Sequence, residues 1–69
     1  MRLSARNILD GTVTEIVKGA VTSHVRLDIG GTIVTASITN DAVAELGLTV
    51  GSEASAVIKA SDVMIGVRD

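Results

Sequence analysis

Residues 21–39 contain two runs in which apolar and polar side chains alternate, joined by two glycines. In the first, "VTSHVRLDI", Val21, Ser23, Val25, Leu27 and Ile29 share one face, and Thr22, His24, Arg26 and Asp28 share the other. In the second, Val34, Ala36 and Ile38 lie opposite Thr35, Ser37 and Thr39. A period of two is that of a strand with one face against a core. The flexible pair Gly30-Gly31 between the runs predicts a tight hairpin. A chain built around such a hairpin must cover its apolar face.

The rest of the chain supplies candidates. "EASAVIK" (53–59) sets Ala54, Ala56 and Ile58 against Ser55, Val57 and Lys59, "ASD" interrupts, and "VMIGV" (63–67) resumes as a fifth strand. In "RNILDGTVTEIVKGA" (6–20), Val13 and Val17 flank Glu15, with Ile16 on the opposite side. That pattern predicts a first strand with a bend or bulge near Asp10–Gly11. A hairpin tip at Asp10-Gly11 is the alternative, with a short arm before it. "KGA" (18–20) turns into the second strand. "NDAVAELG" (40–47) predicts a helix of about two turns, capped by Asn40 or Asp41, with Val43 and Leu46 on one face and Gly47 as the terminating glycine. "LTVGSE" then turns at Gly51. The order β-β-β-α-β-β is all-β with one short helix and matches a five-stranded OB-like barrel. An open antiparallel sheet finished by a partner's strands is the alternative.

Composition decides how such a sheet could be stable. The chain has 69 residues, which predicts a single domain over 1–69. A domain of this size buries only about 60% of its unfolded surface. There is no Cys for a disulfide or thiolate metal site, and one His. Hydrophobic residues make up 46%, yet Phe, Trp, Tyr and Pro are absent. The core is therefore Val, Ile, Leu and Ala, with less buried area per residue than an aromatic core. Homo-oligomerisation is the expected way to complete it. The net charge of −2 argues against a nucleic-acid or membrane-surface module. No stretch has the length of a membrane span or a signal-peptide core, so a cytoplasmic location is expected. The initial Met and the end soon after the last predicted strand fit a free-standing protein, and a domain of a longer regulator is the alternative.

Small polar groups gather near two cations. "SARN" supplies Ser4, Arg6 and Asn7 at the start of the first strand; Lys59 and Ser61 stand at the junction of the fourth and fifth; Thr39 precedes the helix. Cations, hydroxyls and a helix start are the components of an oxyanion site. Each has a plainer reading: a solvated N-terminal arm, a strand-end threonine, an edge-strand lysine that blocks aggregation. Lys59 is the most pointed case, because apolar residues flank it, and a cation on a buried element must reach water or meet a negative partner. His24 reads as a surface residue, and Met1 and Met64 as initiation and packing. "KGAVT" reads as a turn whose N–H groups could also hold an anion.

At "LSARN", "KGxVxxxV", "ITNDAVAELGL" and "GSEASAVIKASDVMIGV" the sequence resembles the molbindins, small molybdenum-binding Mop proteins of the TOBE-type superfamily. The resemblance spans residues 2–67. It implies OB-like barrels that exchange strands in dimers, three dimers forming a hexamer, with molybdate or tungstate bound at subunit interfaces. It implies that Ser4, Ala5, Arg6, Asn7, Thr39, Ala42, Lys59, Ala60 and Ser61 surround the oxyanion. Some relatives carry a hydroxyl residue at the positions of Ala42 and Ala60, so contacts there would come from backbone N–H groups. A second oxyanion site near the threefold axis would involve Ala20, Val21 and Thr22.

Three functions compete. An oxyanion store or buffer follows from the cations, hydroxyls and resemblance. An OB-like nucleic-acid module needs aromatic stacking and a basic groove, and this chain offers neither. An enzyme would need Ser4 or Ser61 paired with Lys59, but no oxyanion hole or cleft is identifiable, so no catalytic site is expected.

Overall fold

A computed structural model describes all 69 residues. The alternating runs form β2 (Thr22–Asp28) and β3 (Ile33–Thr39), paired antiparallel from Thr22↔Thr39 to Asp28↔Ile33. The Ile29 N–H donates to the Thr32 carbonyl at 2.8 Å, and Gly30 and Gly31 both have positive φ (84° and 98°), as a two-residue hairpin turn demands. Ahead of them runs β1 (Asn7–Lys18), and after them α1 (Asn40–Glu45) and β4 (Glu53–Ile58). The sheet order is β3-β2-β1-β4, and every neighbouring pair is antiparallel. The result is mostly β with one short helix, in a single curled sheet.

β1 makes the curl possible by changing partners midway. Its first half, Asn7 to Thr12, pairs with β4, and its second, Thr12 to Lys18, pairs with β2. The bulge lies at Thr14, between Val13 and Glu15, and not at Asp10–Gly11 as expected. It has a simple consequence. The extra residue shifts the side-chain phase, so Val13 and Ile16 both turn toward the core. Gly11 serves a different purpose, close approach. A methyl there would sit 2.5 Å from the Asp28 carbonyl oxygen and 2.8 Å from Ile29 Cγ2. Gly11→Ala should therefore destabilise the protein by about 1–3 kcal/mol through overpacking against backbone. A urea titration checks this, and a midpoint equal to wild type would show that the corner can relax.

The helix starts one residue earlier than expected. Thr39, not Asn40 or Asp41, is the N-cap, its Oγ1 accepting from the Ala42 N–H at 3.0 Å. Gly47 follows the last turn with φ 64°, as a terminating glycine should. Val43 packs on the core, but Leu46, expected beside it, is exposed. Gly51 turns the chain into β4 with φ 96°. After β4 a single 3-10 turn covers Ala60–Asp62. The fifth strand expected over 63–67 does not form within the chain. Met64, Ile65 and Val67 stand 93%, 89% and 88% exposed, because no edge of the chain's own sheet pairs with them.

The fully buried apolar core is only Val13, Val25 and Leu27, with Ile16, Ile29, Ile38, Val43, Leu48, Ala54 and Ala56 half-buried around it. The chain exposes 5401 Å². A closed globule of 7.0 kDa would expose about 4,000 Å². Its radius of gyration is 12.9 Å, against about 11 Å for a closed globule of this length. The excess of roughly 1,300 Å² is of the size one chain buries in an obligate interface. An apolar groove of about 690 Å³ remains open, lined among others by Val25, Leu27, Val34, Ala36, Ile38 and Leu48.

Candidate functional site

The predicted site residues fall into two groups at opposite ends of β1. The first group surrounds its beginning. Asn7 pairs with Ile58, and the Asn7 Nδ2 donates to the Ile58 carbonyl at 3.2 Å, clamping the last rung of the β1–β4 ladder. Beyond that rung the chain leads Ser4, Ala5 and Arg6 away on one side and Lys59, Ala60 and Ser61 on the other. Lys59 is extended (φ −66°, ψ 138°), and its carbonyl accepts from the Asp62 N–H at 2.9 Å, closing the 3-10 turn.

Lys59 is exposed in the single chain, which leaves both sequence readings, reaching water or meeting a negative partner, open. It sits one residue past the strand, where its side chain reaches solvent. Neither Lys59 nor Arg6 has a carboxylate partner, since the one ion pair in the chain joins Arg26 to Glu15 across β1 and β2. Nor does the Lys59 amine bond to Ser4 or Ser61, the contact that a nucleophile–base pair would require. Two unpaired cations thus stand at one end of the sheet, with Ser4 and Ser61 exposed beside them.

The second group lies at the far end of β1. Thr39 pairs with Thr22 across β3 and β2, so it adjoins the turn that carries Ala20 and Val21. That turn closes with the Gly19 N–H on the Thr22 carbonyl at 2.8 Å. Residues expected in two different sites are therefore neighbours here, whereas residues expected in one site are split. The span from Asn7 to Lys18 is on the order of 30 Å along the strand.

Donors at the helix start are already partly used. The Ala42 N–H, expected to be offered to an anion, donates to Thr39 Oγ1, and the Asn40 N–H donates to the Val21 carbonyl at 2.8 Å. What Thr39 retains is its own hydroxyl proton. The helix itself contributes little, being six residues long with Asp41 in its first turn.

The link between Ser23 and Asn40 is what sequence reasoning missed. Ser23 is 1% exposed, on the core face of β2. Its Oγ donates to Asn40 Oδ1 at 2.5 Å, and Asn40 Nδ2 donates to the Gly19 carbonyl at 3.0 Å. A signal existed: Ser23 interrupts the apolar face of Val21, Val25 and Leu27, and a buried hydroxyl requires a partner.

A second, polar groove of about 530 Å³ lies over β1 and β4, lined by Asp10, Gly11, Thr12, Glu53, Ala54 and Ser55. The Ser55 Oγ donates to Asp10 Oδ1 at 2.7 Å. Two carboxylates repel a dianion, so this groove is unsuited to the ligand the cations suggest. No helix is long and apolar enough to cross a membrane.

Residues 3–65 match the TOBE domain family. A probable molybdenum-pterin-binding protein of Haemophilus influenzae is 48% identical over 69 residues, covering 99% of this chain and 100% of that protein. The molybdenum transport protein ModE of Herbaspirillum seropedicae is 52% identical over 67 residues, 96% of this chain, but the chain spans only 25% of its length. Among solved structures, the cytoplasmic molybdate-binding protein ModG with molybdate bound superposes with a TM-score of 0.94 at 59% identity, over 99% of this chain and 49% of that one. Fold and sequence agree, and the chain belongs to the TOBE domain family, with the molybdenum-pterin-binding (Mop, or molbindin) proteins among its relatives.

Proposed function

We propose that this protein binds molybdate, or tungstate of the same shape and charge, at interfaces between copies of itself, and that it stores or buffers the oxyanion in the cytoplasm without catalysing a reaction. The observation that carries the reading is the split donor set. Arg6 and Lys59, unpaired, lie at one end of β1, and the Thr39 hydroxyl, with its proton still to donate, lies at the other. Antiparallel packing of two copies brings opposite ends together, so one chain's Ser4–Asn7 and Lys59–Ser61 would meet the other's Thr39 and Ala42. A dianion there would accept charge-assisted hydrogen bonds from both chains. The similar proteins named for molybdenum, molybdate or molybdenum-pterin support molybdate as the ligand.

The same reading explains the open surface. Strand exchange through residues 63–67 would cover exposed apolar side chains and supply the missing fifth strand. Three such dimers would form a hexamer, and Ala20, Val21 and Thr22, all exposed, would then line a second oxyanion site.

Native mass spectrometry with and without molybdate tests the proposal. The expected result is a hexamer that gains whole molybdate masses. Because ligand binds the assembled state, saturation at 100 times Kd should add about 2.7 kcal/mol per site to its stability. A monomer at every concentration, or an assembly that takes up no ligand, would overturn it.

A further inference from the structure

We propose that Asn40 is a positioning residue that fixes the Thr39 hydroxyl and the 19–22 turn in one rigid arrangement for oxyanion binding, an inference that rests on the oxyanion reading above. Asn40 is the first helical residue, yet none of its side-chain polar groups serves the helix. Its backbone N–H goes to the Val21 carbonyl, its Nδ2 to the Gly19 carbonyl, and its Oδ1 accepts from the buried Ser23 Oγ. Capping is done by Thr39 alone. Asn40 is therefore dispensable for starting α1 but ties it to the β1–β2 turn.

The tie acts on the ligand-facing group next door. Thr39 Oγ1 is held by the Ala42 N–H, which leaves its proton as the one donor to offer. Where that donor sits depends on the backbone between Thr39 and Asn40, and the Asn40–Val21 and Asn40–Gly19 bonds anchor that backbone to the turn. A displacement of the turn moves the hydroxyl with it, so the two candidate oxyanion positions share one rigid support.

A double-mutant cycle read by calorimetry with molybdate tests this on the full chain. Asn40→Ala alone would strand the Ser23 hydroxyl, so it is combined with Ser23→Ala, which removes the orphaned group and lets the chain fold. The pair should weaken molybdate binding about tenfold, yet by less than about twofold when Thr39→Ala is already present, because residues acting through one another are not additive. Losses that multiply, or a double variant that binds like wild type while only its melting temperature falls, would overturn the inference and leave the oxyanion reading intact. Wild-type protein that takes up no molybdate would defeat both.

Discussion

Lys59→Ala should weaken molybdate binding by about 100-fold while leaving the unliganded protein folded, because it removes one charge-assisted hydrogen bond and nothing the fold uses. The second half of that statement follows from exposure. Lys59 lies past the end of β4, has no ion-pair partner and is exposed. Exposure leaves the amine open to an anion. The first half follows from where the dianion would sit. Between two chains, with water displaced, a phosphate-like oxyanion without its ammonium partner keeps an uncompensated charge, and such losses run to about 2–5 kcal/mol. Lys59→Arg should recover part of the affinity, since it restores charge but not the compact geometry of an ammonium. Calorimetry on both variants, with circular dichroism as the check on folding, separates site from scaffold. Affinity equal to wild type in Lys59→Ala would remove the lysine from the site.

That residue also marks the boundary of what is legible in the sequence. The hairpin of β2 and β3 was legible because one face is buried in β2 and half-buried in β3, so every second residue reports on it. β1 was legible as a strand but not in its phase. The bulge at Thr14 places Val13 and Ile16, three residues apart, on the same side, and a strict period of two cannot represent that. The helix was legible from Gly47, but Thr39, Asn40 and Asp41 can all cap, and only tertiary bonds to Gly19, Val21 and Ser23 assigned Asn40 elsewhere. Lys59 looked buried because its neighbours in sequence are apolar; the strand ends just before it. The chemistry of the candidate oxyanion site was inferred from residue types alone. Its division between the two ends of β1 was not legible, because that depends on which strand pairs with which.

Removing residues 63–69 should abolish assembly and with it most of the folded population. A single chain fully buries only three apolar side chains, and the rest of its core is half-buried. If another copy supplies the missing burial, as proposed above, the tail is the segment to meet it, since it carries Val63, Met64, Ile65 and Val67, all exposed. If the tail pairs as a strand, its faces are distinct. Val63, Ile65 and Val67 then point to one side, and Met64 to the other. Ile65→Asp should therefore dissociate the assembly, burying an unpaired charge at a cost above about 3 kcal/mol per chain. Met64→Asp should cost less if that face is wet. Sedimentation velocity on the truncated chain and both variants distinguishes the cases. Equal damage from the two aspartates would mean that the tail collapses without strand order, and a truncated chain that sediments like the full-length protein would mean that the open groove is closed by some other part of the molecule.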